Sequence, residues 1–420
     1  MTGWPPQVTG SGLNGSGTRP EDGGVQEALT AERVVELTKS LIEIPSVNPP
    51  GGEAGVAEFV LSWFKKRGMK CRVLAKDPRR PNIEVTLDPP SGDGTGGVFV
   101  MNAHMDVVPA GEGWKRPPFE PSVAEARLYG RGSADTKGGL AAMMLAMEAL
   151  SRCPPGELCG RVVLHCVSDE EAGAMYGTSH VVNAGIRGDF AVVAEPTSLG
   201  VCVAHKGNVT FEITTHGKAA HASLPTKGHS AIVDMVRIVE ELRSYAAGVS
   251  ARVTHPVLGP PTVNVGVILG GTKSNVIPDR CWISAERRIV PPEEAAQAKA
   301  EIEELLRGAG SRIPGLEYGL KFTNEVGASE VSADHRGVRT ALSVLKDLGV
   351  APRVSGFAAT CDAYFLNRVA GIPTVILGPG SLDIAHTRDE YVPVEELGLA
   401  AKAYALIAQR FLQTGKAPVT

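Results

Sequence analysis

The chain has 420 residues, 43% of them hydrophobic, and a formal net charge of -4. That length can bury a sizeable core and divide into two domains or more. The small net charge, with no long run of Lys or Arg, argues against nucleic acid or an acidic membrane surface as a partner.

Seven scattered cysteines form no C-x-x-C pair, which points to a reduced, cytoplasmic protein. Residues 1–25 are rich in Gly, Ser, Pro and Thr without an apolar core, so they read as a disordered tail and not as a signal peptide. No run approaches the roughly 20 apolar residues of a membrane span. Residues 30–41 carry apolar positions at helical spacing, start at Thr30 with a partly matched capping box, and stop before Pro45. A second helix over 54–67 closes at Gly68, strands follow at 71–74 and 82–87, and a Gly-rich turn spans 91–97.

The chain is organised around the next strand, V-F-V-M-N-A-H-M-D over 98–106. An uninterrupted apolar run of this length suits a strand covered on both faces, and ligands of open α/β sheets gather at the carboxyl ends of such strands. Residues two apart on extended chain point the same way, so Asp106 can accept the second N–H of His104 and fix its tautomer. A Pro- and Gly-rich loop over 107–121 leads to L-Y-G-R-G-S-A-D-T-K-G-G and a buried helix over 140–150, which places Asp135 in an exposed turn just ahead of a helix. The design then repeats: an apolar strand over 161–168 runs into Asp169-Glu170-Glu171, one over 189–194 into Glu195, and one over 373–377 is followed by His386. Singly, an H-x-D or a Glu-Glu is an ordinary hydrogen-bonded pair or a solvated cap. Four strands each ending in a potential ligand are a different matter.

Between these, the texture changes. Strands near 209–214, 262–268, 280–288 and 316–322, with helices over 230–244 and 292–307, read as β-α-β-β-α-β, the ferredoxin-like pattern. A helix over 334–348 and later strands return to the first unit. The expected fold is therefore α/β, a mixed, mainly parallel sheet between helices with an inserted ferredoxin-like lid and dimerisation domain at 208–323, the catalytic domain comprising 26–207 and 324–420.

His104, Asp135, Glu171, Glu195 and His386 offer two imidazoles and three carboxylates, a donor set suited to zinc, with one carboxylate bridging if two ions are held. Asp135 is the candidate bridge. Of the adjacent Glu170 and Glu171, facing different ways at a strand end, one can bind metal while the other addresses a water.

The motifs H-M-D-V-V-P, Y-G-R-G-S-A-D-T-K-G-G, S-D-E-E, A-E-P-T, G-K-A-A-H-A-S, G-G-T-K-S-N-V-I-P-D and A-H-T-R-D-E resemble the dinuclear zinc amidohydrolases that include acetylornithine deacetylase, succinyl-diaminopimelate desuccinylase, aminoacylase and glutamate carboxypeptidase. The resemblance covers nearly everything after the amino-terminal tail. It implies two zinc ions per subunit, with cobalt or manganese as substitutes, one held by His104, Asp135 and Glu195 and the other by Asp135, Glu171 and His386. It makes Glu170 the general base, Asp106 the partner of His104, and the Asp135–Thr136 peptide bond cis. His221 would reach the site of a partner subunit to steady the oxyanion. Asn275 and Arg288 would grip the substrate's carboxylate and the tetrahedral intermediate, with Arg287 as the alternative to Arg288, because neighbours on a strand face opposite ways. Thr360 and Gly380 match positions near the substrate, or form a turn beneath the site.

Cys361 has no catalytic part to play where a metal site already provides the nucleophile, and His205, His216 and His229 match no ligand position. The expectation is a cytoplasmic, homodimeric hydrolase acting on the amide of an N-acyl amino acid, without nucleic acid or membrane partners. Its rivals are a carboxypeptidase or dipeptidase on the same scaffold and a binding protein that has lost catalysis. The last would have lost a ligand or the base, and none is missing.

Overall fold

The structure is a computed structural model that describes residues 28–89 and 96–413. The tail expected over 1–25 and most of the turn expected over 91–97 lie outside them. The elements in chain order are α1 (Ala31–Ile42), α2 (Ala54–Lys65), β1 (Lys70–Leu74), β2 (Asn82–Leu87), β3 (Val98–His104), β4 (Ser122–Ala124), β5 (Arg127–Tyr129), α3 (Lys137–Leu150), β6 (Arg161–Val167), α4 (Thr178–Asn183), β7 (Phe190–Val193), β8 (Val201–His205), β9 (Gly207–His216) and β10 (Ala220–His221). There follow α5 (Ala231–Arg252), β11 (Thr262–Gly270), β12 (Val276–Ile277), β13 (Arg280–Ile289), α6 (Ala295–Arg312), β14 (Glu317–Val326), β15 (Ser329–Glu330), α7 (Arg336–Asp347), β16 (Val354–Phe357), β17 (Thr374–Ile376), β18 (Tyr391–Pro393) and α8 (Val394–Gln413).

The larger sheet has nine strands in the order β1-β2-β6-β3-β7-β17-β8-β15, with β16 beside β8. Its centre, β6-β3-β7-β17, is parallel, and antiparallel pairs flank it on both sides. The fold is thus the mixed α/β arrangement expected. Alternation along β3 sorts its side chains into two cores: Phe99, Met101 and Ala103 pack with helices α1, α2, α3 and α8, while Val100 packs on the opposite face with Ala191, Ile376 and Leu366. Helix α3 lies wholly inside. Its run of Ala and Met has no polar stripe to keep wet, and its one acid, Glu148, pairs with Arg33 and Arg152.

The smaller sheet, β11-β13-β9-β14, is antiparallel throughout and carries α5 and α6 on one face. Strand β9 alternates buried and half-buried residues, turning Phe211 and Ile213 to Met235, Ile238 and Leu242 of α5 and to Ile302 and Leu306 of α6. This is the ferredoxin-like order of the expected β-α-β-β-α-β unit. Helix α5 runs eight residues past the expected end at 244: the apolar period blurs there, but buried Val249 and the Ser250 hydroxyl, which donates to the Pro261 carbonyl at 2.9 Å, keep the last turns docked. The chain enters this unit at Gly207 and leaves it at Gly327, two connections that run side by side. A side chain at Gly207 would meet the Ala328 nitrogen at 2.5 Å, and one at Gly327 would meet the Tyr364 ring at 2.3 Å.

Two small features were not legible beforehand. Strands β4, β5 and β18 form a three-stranded patch, and β10 pairs with β12 as a short ribbon. Among the described residues no helix is long and apolar enough to cross a membrane.

Candidate metal centre

The four parallel strands at the centre of the large sheet are neighbours, so the residues that follow them meet at one edge. His104 closes β3, Glu195 comes two residues after β7, and the Asp169–Glu171 segment follows β6. His386 sits on the loop after β17, at a left-handed φ of 62°. Asp135 arrives from the turn just before α3, which begins at Lys137 and not at 140.

Ligand atoms of His104, Asp135 and Glu195 lie within 4.8 Å of one another, as do those of Asp135, Glu171 and His386. Asp135 belongs to both groups. Its Oδ1 is 3.0 Å from Nε2 of His104, and its Oδ2 is 3.3 Å from Nε2 of His386. The same nitrogen of His386 lies 3.2 Å from Glu171. The Asp135–Thr136 peptide bond is cis.

Three expectations need correction. The Asp135 turn is buried, not exposed, at 7% relative accessibility. The reason lies far along the chain, where Glu390 accepts hydrogen bonds from the N–H groups of Gly132, Ala134 and Asp135 at 3.1, 2.9 and 3.1 Å and so needs no water on that turn. Second, Nδ1 of His104 meets the main-chain carbonyl of Asp106 at 2.9 Å, while the Asp106 carboxylate stands off at 3.6 Å. That carboxylate is engaged elsewhere, accepting from the N–H groups of Glu170 and Glu171 at 3.2 and 3.1 Å and from the Asn48 amide at 2.8 Å. Third, Glu170 and Glu171 do not alternate on an extended strand. Asp169 takes a left-handed φ of 67° and starts a 3₁₀ turn, Glu170–Ala172, whose geometry separates the two side chains.

Electrostatics concentrates negative charge here. Burial first, and then the charge of Glu195, pushes Glu170 well above the carboxylate range; burial and Asp135 do the same to Glu195, and raise Glu171. Burial alone would raise Asp135 too, but the hydrogen bonds from His104 and His386 outweigh it and hold that carboxyl low. The hydrogen bonds that His386 donates to Asp135 and Glu171 push it up to about 10. Nearby Asp362, which no motif in the sequence marks as part of the site, is raised to about 7 by burial while accepting from the Thr178 hydroxyl at 2.8 Å.

A divalent cation fits this set on two counts. Oε1 of Glu195 is buried with no hydrogen-bond partner among the described residues, and the carboxylates of Asp135, Glu170, Glu171 and Glu195 crowd against only two imidazoles, an excess of negative charge that a cation offsets. Nitrogen and oxygen donors without thiolate suit zinc, cobalt or manganese.

Beside the two groups lies a cavity of about 310 Å³ whose lining includes Glu170, Glu171, His386, Asn208, Arg288 and Thr360. A larger, more open hollow of about 1070 Å³ between α5 and α6 contains none of the candidate residues. Register separates the two arginines. Arg288 reaches the cavity, whereas Arg287 turns inward, fully buried, to the Tyr245 hydroxyl at 3.2 Å and Glu293 at 2.6 Å. His221 and Asn275 do not line the cavity. They sit together on the exposed β10–β12 ribbon, where the Ala222 N–H donates to the Asn275 carbonyl at 3.0 Å. Gly380 is a packed turn below the site: a side chain there would meet Cβ of Ala134 at 2.8 Å. Cys361 is buried in the cavity wall with its thiol pushed well up by burial.

Comparison with known proteins accords with this geometry. The family described as Peptidase family M20/M25/M40 matches residues 100–410. Acetylornithine deacetylase of Proteus mirabilis is 29% identical over 396 residues, covering 91% of this chain and 98% of its own. Among solved structures, an M20 family metallo-carboxypeptidase from Sulfolobus solfataricus superposes with a TM-score of 0.77 at 18% identity, covering 90% of this chain and 99% of that one. The Bacillus subtilis YXEP protein, a dinuclear metal binding peptidase, gives 0.69 at 18% identity over 91% and 99%. The chain belongs to peptidase family M20/M25/M40 and is a hydrolase.

Proposed function

We propose that the chain hydrolyses the amide bond of N-acyl amino acids, using two zinc ions per subunit and Glu170 as general base. The observation that carries this reading is the placement of Asp135, one oxygen toward each imidazole, at the junction of two three-residue groups. His104, Asp135 and Glu195 would hold one ion, and Asp135, Glu171 and His386 the other. When bound, such ions supply Lewis acidity, lowering the pKa of a water and polarising the scissile carbonyl.

The protein's own residues do the rest. Glu170 accepts the proton of the attacking water at a carboxylate oxygen and gives it to the leaving nitrogen, a transfer that suits a buried carboxyl pushed up from its usual range. Arg288 grips the substrate carboxylate with its planar fork. Asp106 steadies the Glu170–Glu171 turn through its two main-chain bonds and presents its carbonyl to His104, which sets the ring's tautomer.

A homodimer in the cytoplasm completes the proposal. Val267, Ile268 and Leu269 stand exposed on β11, the outer strand of the small sheet, as a second copy would require. His221 and Asn275 would then complete the neighbour's site. All seven cysteines are unpaired, which suits a reducing compartment.

A second reading, a peptidase, is favoured by one feature: a carboxylate-gripping Arg288 would serve a peptide C-terminus equally well. The relatives divide the same way, between acetylornithine deacetylase and metallo-carboxypeptidase.

One assay tests both. Metal-free protein, with and without added zinc, is offered N-acetylornithine, other N-acetyl and N-succinyl amino acids, and short peptides. Zinc-restored cleavage of one acyl class supports the deacylase; cleavage of peptides alone replaces it with the peptidase. No cleavage by protein holding two zinc ions removes both.

A further inference from the structure

The two groups that meet at Asp135 are not built alike. His104 and Glu195 stand at or just past the ends of adjacent strands β3 and β7, held by the sheet itself. His386 hangs on a loop ten residues beyond β17, with half of its side chain exposed. Something other than the sheet must set its distance from Asp135.

A buried ion pair, Arg131 with Glu390, touches both segments. Both side chains are essentially inaccessible, and Nη1 of Arg131 donates to Oε2 of Glu390 at 2.5 Å. The second oxygen, Oε1, takes the three N–H groups of the Asp135 turn, and the Gly130 N–H donates to the Glu390 main-chain carbonyl at 3.0 Å. The other arm of Arg131, Nη2, points to the His386 carbonyl at 3.4 Å and to the carbonyls of Ala110 and Pro109 at 3.4 and 3.5 Å. The Trp114 ring lies 5.0 Å from the guanidinium. Glu390 thus fixes the turn that carries Asp135, and Arg131 fixes the loop that carries His386.

Taking two charges out of water offsets much of what such a pair gains, so a buried pair contributes little stability over an apolar replacement. What it does supply is direction. A carboxylate with four donors and a guanidinium fork fix angles that Leu or Met would leave free.

We propose that Arg131 and Glu390 are a positioning pair that sets the Asp135–His386 separation, and so governs hold on the cation of the Asp135, Glu171 and His386 group more strongly than on the other, which shares Asp135 but keeps His104 and Glu195 on the sheet. The inference rests on the two-cation reading above. Neither residue contacts the reacting atoms.

The test is stepwise cation affinity. Wild type, Arg131→Lys and Glu390→Gln are each equilibrated in chelator-buffered zinc, with bound metal counted by mass spectrometry, and in cobalt, with the visible spectrum reporting each site. Arg131→Lys keeps the charge and loses the fork; Glu390→Gln keeps an acceptor oxygen and loses the charge. The expected result is that the weaker cation leaves at free zinc at least tenfold higher than in wild type, while the tighter one, which keeps His104 and Glu195, shifts severalfold less. Where a variant folds only with zinc present, it is folded with zinc and the loss of each cation from the loaded protein is followed in the same chelator buffers. Unchanged affinity for both cations, or equal weakening of both, overturns the proposal and leaves the pair a general structural prop. Wild type that binds fewer than two cations would instead remove the two-cation reading on which the inference stands.

Discussion

Nη1 of Arg288 donates to the Thr360 hydroxyl at 3.0 Å, and that hydroxyl in turn donates to the Lys206 carbonyl at 3.0 Å. The pair joins β13 of the small sheet to the loop after β16 of the large one, across the cavity that holds Glu170. It also tethers the arginine to the connection that leads into the small sheet at Gly207. Nε and Nη2 of Arg288 pair with Glu286 at 3.0 and 3.2 Å, so on the proposed reading the arginine, already held in place, meets a substrate carboxylate with the N–H groups left over on Nη1 and Nη2.

Arg288→Ala should therefore raise KM for carboxylate-bearing substrates about 10- to 100-fold, the loss of a charge-assisted hydrogen bond of roughly 1.5 to 3 kcal/mol, with kcat changed much less. Arg287→Ala should do the reverse. It leaves the largely buried Glu293 without its partner, which costs about 3 to 5 kcal/mol of stability. Steady-state kinetics and thermal melts on the two variants check this. An unchanged KM in Arg288→Ala would move carboxylate recognition to another contact.

Glu170→Gln should keep both cations and lose turnover by about 10² to 10⁴, the usual worth of a positioned proton carrier. Glutamine keeps the shape and volume of the side chain but cannot take a proton. Metal content by mass spectrometry together with single-turnover rates separates this from a loss of binding; two bound cations with wild-type turnover would remove Glu170 from the reaction.

The parts of the site that were legible in the sequence are those that follow from local chemistry. A short apolar run that stops at His, Asp or Glu announces both a buried strand and its polar end, and the parallel order of β6, β3, β7 and β17 then gathers those ends at one edge. What could not be read were choices made by distant partners. The glycine-dense turn at Asp135 looks exposed until Glu390, 255 positions on, supplies the acceptor that lets it be buried. Asp106 looks like the partner of His104 until Asn48 and the turn after Asp169 claim its oxygens. Arg287 and Arg288 are equivalent by alternation alone; their roles part only through the pairing of Arg288 with Asn208 and Arg287 with Val209, which decides the face of the sheet. Asn48, Arg131 and Glu390 lay within or near polar motifs, yet nothing in their own neighbourhood marks them as supports.

His205 supplies a prediction about pH. It is buried at the end of β8, its Nδ1 lies 2.9 Å from the Lys206 carbonyl, and its Nε2 has no partner among the described residues. Burial pushes its pKa from the ordinary 6.5 down to about 4. Between those values the unfolded chain binds a proton that the folded chain refuses, so stability is lost as pH falls through the window. Against a His205→Leu variant, which has no proton to bind, wild type should lose about 2 kcal/mol more between pH 7.5 and pH 5. Denaturant unfolding of both proteins at the two pH values measures the change in the gap. A gap that stays constant would mean that His205 does not titrate between them.

His221 tests the assembly. It is exposed, its Nδ1 lies 2.7 Å from the Ser223 hydroxyl, and it lines no part of the cavity in its own chain. If it steadies the oxyanion, it must do so in a neighbouring copy, and a chain acting alone would lack that donor, a loss on the order of 10² to 10³ in kcat. His221→Ala and Glu170→Gln should each be nearly inactive as pure proteins. Mixed and allowed to exchange subunits, they should recover activity, because in each hybrid the site with intact Glu170 receives an intact His221 from the other chain. At equal mixing about half the dimers are hybrids with one competent site of two, so activity should approach a quarter of wild type. Absence of recovery, with exchange demonstrated by differently tagged chains, would mean that each chain's site is complete without its neighbour.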